Sequence, residues 1–385
     1  MLISDTDSID FEKKISSVNF FVIDTKISSG KMHGQADNIK PIGYITISCE
    51  NVTGISEIYA STYISHGIKS IYEYMAFVLN NKTLKDVIEI FDNFSIPFVS
   101  RNGLFRACFG SLENAFYDLC AKLEKKPLYQ ILGSKKDFPK IYASGGSVIC
   151  SKEEIEQESV KVLDYGFQGY KIRVGLQEWD IDQSRIQAMG DSSIIKMVDA
   201  INGTRIPTWS LNEVEEKIPF LESQNIYWLE EPLYPDEYAN YAKLQNKCSF
   251  HIAAGEAYSG YGEFKNLIDI GKINIIQFDA CHSGGISLCK KVSEYAEKNK
   301  RKNAIHVWGS AVATNTNFHM AIALGNIDFL EKPLIELEID DKLNQEFVDL
   351  SGLKNTILEK PGIGIEINDF KEIETSTDYG FEYRW

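Results

Sequence analysis

GYKIRVG (residues 169–175), IIKMVDA (194–200), NIYWLEEP (225–232) and FHIAAGE (250–256) are short, largely apolar runs, each with charged residues toward its carboxyl end. Apolar runs of this length between turn-forming residues read as buried strands. Amphipathic stretches such as EEIEQESVKVLDYG (153–166) separate them, and the alternation is the signature of repeated βα units around a parallel sheet. Four further runs, KIYASGG (140–146), INIIQFDA (273–280), NAIHVWG (303–309) and PLIELEI (333–339), bring the total to eight. Eight units fit a closed (β/α) barrel better than an open doubly wound sheet, because no glycine fingerprint for a dinucleotide follows an early strand.

Outside this region the texture differs. NFFVIDTKI (19–27) and IGYITISCE (42–50) alternate like strands around the Gly-containing loop SSGKMHGQADNIKP (28–41). A helical region follows over about residues 68–133, where SLENAFYDLCAKL (111–123) sets Leu112, Ala115, Phe116 and Cys120 on one face and ILGSKKDFP (131–139) ends it. These elements predict a small α+β layer. The last segment, from Lys360, carries Pro and Gly turn signals and a short alternating run, and is expected to fold back onto that layer.

The chain of 385 residues carries 40 Lys plus Arg against 55 Asp plus Glu, a net charge of −15 with no long basic run. That balance argues against nucleic acid or an anionic membrane as a partner. Seven scattered cysteines show no close ligand or redox spacing, so reduced thiols in a cytoplasm are expected. The start, MLISDTDSIDFEKK, is acidic where a signal peptide is basic and apolar, and no apolar stretch reaches membrane-spanning length.

In such a barrel the chemistry sits at the carboxyl ends of the strands. There the sequence places Lys171 and Arg173, Asp199, Glu230 with Glu231, Glu256, Asp279 and His306. Asp199, Glu230 and Glu256 come from three successive strands, and hard oxygen ligands in that number suit Mg²⁺. Each acid alone reads equally well as a cap on the helix after its strand; all three together favour a shared ion. Side chains alternate along a strand, so Glu230 and Glu231 are not both expected inward, and parity alone does not choose. Asp279 beside His306 would hold one imidazole tautomer and raise its pKa, as suits a general base. Lys171 and Arg173 share parity and face one side, either as site cations or as an ion-pair layer inside the barrel. His33, His66, His251, His282 and His319 have weaker claims: that of His33 rests on a Gly-containing loop within reach of the site, and His319 lies in a helical stretch.

Read in order, YDLCAKLEKKPLYQILG (117–133), YASGG, GYKIRVG, MVDA, WLEEP, AAGE, FDACHSGGI, HVWGSAV and PGIGIEI resemble the enolase superfamily, in particular its mandelate racemase-like subgroup with many acid-sugar dehydratases. The resemblance implies a modified (β/α)8 TIM-type barrel over residues 136–349 and an α+β capping domain over 1–135, completed by 350–385. It implies Asp199, Glu230 and Glu256 as Mg²⁺ ligands, Asp279 and His306 as a dyad, and Lys171 and Arg173 as the second-strand pair. Near the eighth strand Glu336 is the better match for a carboxylate-binding Glu, with Glu331 and Glu338 as rivals. Two departures are informative. Arg173 stands where the family commonly has Lys, and a guanidinium is a poor proton acceptor but a good carboxylate clamp. DAINGTRIPTWS (199–210) is longer than the usual Asp-Ala-Asn, which puts a role for Asn202 in doubt.

The implied chemistry is Mg²⁺-dependent removal of the proton next to a carboxylate, a step that needs the developing dianion stabilised electrostatically. Dehydration of an aldonate or aldarate to a 2-keto-3-deoxy acid is the leading expectation. A racemase or epimerase, or a lactone cycloisomerase, is the alternative, and a non-catalytic acid-binding barrel a weaker one. A Schiff-base aldolase using Lys171 would leave the three carboxylates unexplained. A small carboxylate substrate bound in a homo-oligomer is expected, with specificity set by the cap around residues 25–40.

Overall fold

In a computed structural model, which describes residues 8–29, 39–59, 61–94, 100–133, 138–190, 193–203, 208–343, 358–370 and a few isolated positions, the chain forms a closed barrel and a separate four-stranded sheet. The sheet runs in the order β12-β1-β2-β3, with β1 (Ile15–Ser29), β2 (Ile39–Cys49), β3 (Val52–Ile58) and β12 (Glu336–Leu337) paired antiparallel. The barrel closes through eight parallel strands: β4 (Lys140–Ser144), β5 (Gly169–Arg173), β6 (Ile195–Asp199), β7 (Trp228–Glu230), β8 (His251–Ala254), β9 (Ile275–Phe278), β10 (Lys302–Ile305) and β11 (Phe329–Pro333).

Seven of the eight expected strands lie where the apolar runs put them. The eighth does not: FLEKP forms β11, and PLIELEI ends the barrel at Pro333 and then leaves it, pairing Leu337 and Glu336 with Ile27 and Ser29 of β1. FLEKP has two charges in five residues and so lacks the unbroken apolar run by which its neighbours are recognised. Glu331 is nonetheless buried, because the barrel supplies it with a cation.

Alternation along the strands layers the barrel interior. Tyr142, Met197, Trp228, Ala253, Ile275, Ala304 and Phe329 make an apolar floor, with the Tyr142 and Phe329 rings edge-on to Trp228 at 5.2 and 5.3 Å. Gly169 keeps β5 from crowding it, since a Cβ there would lie 2.9 Å from Tyr142 Cβ. Two residues further along each strand, Ser144, Lys171, Asp199, Glu230, His306 and Glu331 stand above this floor at the carboxyl ends.

The helix Leu104–Leu123 joins sheet to barrel and is buried on all sides from Ala107 to Lys122. Asn114 donates to Ala280 O at 2.8 Å and accepts from Ile286 N at 3.0 Å, bracketing the loop after β9. Asp118 accepts from Ile55 N of β3 and from Ile363 N near the carboxyl terminus, and Lys122 pairs with it at 2.8 Å. Phe370 packs edge-on against Phe21 and Tyr44. All seven cysteines are free, and no described helix is long and apolar enough to cross a membrane.

Helix and barrel loop meet closely at Gly110, where a Cβ would sit 2.0 Å from Gly284 C and 2.1 Å from Gly285 N, both backbone. Gly110→Ala is therefore expected to destabilise by about 1–3 kcal/mol through overpacking, read as a lower urea midpoint. An unchanged midpoint would show that this contact yields freely.

Candidate active site

Lys171 sits at the centre of the charged layer with no solvent exposure. Its Nζ lies 2.6 Å from Glu230 Oε1, 3.0 Å from Glu331 Oε1 and 3.7 Å from Asp199 Oδ2. Burial works to lower its pKa, but Glu230 and Glu331 outweigh that and hold it well above the ordinary lysine value. Arg173, one pleat further out, donates to Gly145 O and Ser144 Oγ at 3.0 Å each and approaches Asp199 Oδ2 at 3.8 Å. Both side chains are held as cations.

Asp199, Glu230 and Glu256 each offer an oxygen within 4.8 Å of the other two. Trp228 Nε1 donates to Glu230 Oε2 at 3.1 Å, and Ile201 N to Asp199 Oδ1 at 2.7 Å, orienting two of the three. All three pKa values are raised, first by burial; the Lys171 ammonium opposes this, and repulsion among the carboxylates adds to it. Glu231 intensifies the excess. Its φ of 39° turns the chain off the strand just after Glu230, so alternation no longer applies and it too is buried beside the cluster. Neither of its oxygens has a hydrogen-bond partner among the described residues, and its pKa is pushed well above the usual range by burial and then by Glu256, Asp199 and Glu230. Converging hard oxygens with more negative charge than Lys171 and Arg173 offset are a donor set that fits a divalent cation such as Mg²⁺.

His306 follows β10 and Asp279 follows β9. Asp279 Oδ2 lies 3.0 Å from His306 Nδ1, while Oδ1 accepts from Asn317 Nδ2 and Cys281 N at 2.8 Å each, so the carboxylate is fixed from three sides. His306 Nε2 points toward Glu256 Oε2 at 3.3 Å. Burial disfavours the imidazolium, but Glu256 and the Asp279 hydrogen bond prevail and raise the pKa to about 9. A cation held by Glu256 acts against that rise. Tyr59, at the end of β3, meets the His306 ring edge-on at 5.8 Å, a contact from the cap with no sequence signal.

The seven strand-end residues Lys171, Arg173, Asp199, Glu230, Glu256, Asp279 and His306 thus gather in one place, with Glu231 beside them. Glu336 does not: it is exposed on the edge strand β12, and Glu338 pairs with Lys342 at 3.0 Å. Glu331 replaces it, bound to Lys171 and accepting from Val307 N at 3.0 Å next to His306. The misplaced eighth strand caused that miss. His319 is packed in the helix Ala311–Leu324, accepting from Tyr129 N at 3.2 Å, and His251 lies at the opposite mouth of the barrel against Tyr227. Asn202 accepts from Trp209 N at 3.1 Å, closing its own loop. His33 lies outside the described residues.

Two measurements follow. Glu331→Gln is expected to cost about 3 kcal/mol, because a buried cation loses a partner, and Glu336→Gln to stay within about 0.5 kcal/mol; equal urea midpoints for the two would remove Glu331 from the site. Mg²⁺ at 100-fold over its dissociation constant should stabilise the chain by about 2.7 kcal/mol, an upward melting shift that Glu230→Gln abolishes and EDTA reverses.

The model of the family described as Enolase C-terminal domain-like matches residues 154–371. Arabinonate dehydratase of Saccharolobus solfataricus is 27% identical over 274 residues, covering 70% of this chain and 72% of that protein. L-talarate/galactarate dehydratase of Salmonella typhimurium is 27% identical over 276 residues, 70% of this chain and 66% of that protein. The crystal structure of an enolase from Bradyrhizobium complexed with magnesium and mandelic acid superposes with a TM-score of 0.80 at 20% identity, covering 96% of this chain and all of that one, a likeness of fold. The family match spans more than half of the sequence and takes in every strand-end residue from Lys171 to Glu331, and the chain belongs to the enolase superfamily.

Proposed function

We propose that the protein is a Mg²⁺-dependent lyase that dehydrates an acid sugar to a 2-keto-3-deoxy acid. The observation that carries this reading is the single base: His306, fixed by Asp279 and aimed at the carboxylate cluster, faces two side chains that stay protonated. The relatives with matching sequence act on acid sugars by dehydration, which supports the same class.

Asp199, Glu230 and Glu256 would hold the metal, which when bound supplies electrostatic stabilisation of the charge that develops as an α-proton leaves. Lys171 and Arg173 bind and orient the substrate carboxylate; the planar fork of Arg173 suits a bidentate grip. His306 Nε2 takes the α-proton, since Nδ1 is committed to Asp279. The C–H pair becomes the new C=C bond, the β-carbon loses its hydroxyl, and the imidazolium returns the proton to that group so that it departs as water. The resulting enol tautomerises to the 2-keto acid. Carbon oxidation states rearrange internally, and no external oxidant enters.

A racemase acting from both faces needs a second neutral base. Arg173 is unsuited to that, and Lys171 is tied to Glu230 and Glu331.

Incubation of an acid-sugar library with Mg²⁺ and semicarbazide is expected to trap a keto acid. His306→Asn should lower kcat by about 10²–10⁴-fold, together with α-proton exchange in heavy water. Deuterium entering recovered substrate without loss of water would point to an isomerase and sink the lyase.

A further inference from the structure

Lys40, the second residue of β2, is 4% exposed, yet the only hydrogen bond of its ammonium among the described residues is a long one, 3.5 Å to Trp308 O. An ammonium brings three donors and is costly to bury uncompensated. Glu57, Asp340 and Asp279 act on it through space, but none forms an ion pair with it among the described residues. Its position is defined by Trp308, two residues after His306: Lys40 Nζ lies 5.1 Å from the indole ring centre and Arg173 Cζ 4.5 Å from the same centre. Arg173 in turn reaches Asp199. Tyr44, on the same face of β2 as Lys40, donates to Ser310 Oγ at 3.0 Å, so this edge of the cap is docked against the loop after β10. A cap strand thereby brings a cation with one long hydrogen bond among the described residues to the same indole that Arg173 approaches.

We infer that Lys40 binds a second, distal carboxylate of the substrate, and that the acid sugar is accordingly a dicarboxylate, an aldarate and not an aldonate. The inference rests on the acid-sugar reading above and names the substrate class for that same site. One ammonium matches one carboxylate charge; a phosphate ester carries about −1.5 to −2 at neutral pH and would be left partly uncompensated there. In a chain of net charge −15, a dianion also needs a cation at each end to offset general repulsion.

The test uses the Mg²⁺-loaded protein and matched aldarate and aldonate pairs, such as galactarate and galactonate, which differ only in a terminal carboxylate or alcohol. The wild type should favour aldarates in kcat/KM, and Lys40→Gln should lower the aldarate-to-aldonate ratio by roughly 10- to 150-fold, mainly through KM. Lys40→Arg, which keeps the charge, should keep the preference. Wild-type preference for aldonates, or an equal fall for both acids in Lys40→Gln, overturns the inference and leaves the dehydratase reading standing. If α-protons exchange but no keto acid forms, the dehydratase reading fails, and the same ratio measured on exchange rates still judges Lys40. Without any turnover, a larger melting shift from aldarates that Lys40→Gln abolishes supports the role, and equal shifts overturn it.

Discussion

The whole interior is arranged around one buried ammonium. Lys171 has no exposure and sits above the apolar floor of the barrel, where an unpaired charge would be prohibitive. Glu230, Glu331 and Asp199 therefore have to converge on it from β7, β11 and β6, and those are the strands whose carboxyl ends then define a site. The pairing oversupplies negative charge once Glu256 and Glu231 are counted. A barrel neutralised internally would need no ion; this one carries converging carboxylates of a kind that a divalent cation would fit.

The Asp279–His306 pair depends on a different set of contacts, and these reach into the cap. Asp279 is fixed by Asn317 and by its own loop, and that loop is pressed against Gly110 and bracketed by Asn114. On the other side, Glu57 of β3 accepts from Ser310 N at 3.0 Å and Ser310 Oγ at 2.6 Å, anchoring the segment that follows His306. Burial raises the Glu57 pKa to about 7, against the pull of Lys40 and of these hydrogen bonds. The cap is thus a mechanical part of the dyad, holding both of its loops, as well as the wall that carries Tyr59 and Lys40.

Much of this was legible in the linear chain because period-2 alternation and strand length are local properties. Seven strands and every charged strand end up to His306 follow from them. The eighth strand was not legible, since FLEKP is stabilised by an ion pair with a residue 160 positions earlier and LIELEI has the better local pattern for a strand. The choice of Glu336 over Glu331 fell with it. Glu231 was hidden for a related reason: a positive φ at one residue cancels the alternation on which parity depends. Tyr59 and Lys40 carry no motif at all, and Trp308, although it lies in HVWGSAV, has no role that the motif announces.

By itself, then, the sequence determined a parallel barrel, a set of acids and bases at its strand ends, and a family whose chemistry begins at the carbon beside a carboxylate. The first two are consequences of which residue types recur at which spacing; the family and its chemistry are what the resemblance of the quoted motifs implies. Only the tertiary structure decided which glutamate compensates Lys171, that Glu231 joins the carboxylates, and which cap residues meet His306 and Trp308. Those outcomes depend on charges and surfaces far apart in the chain being buried together, where each must find a partner.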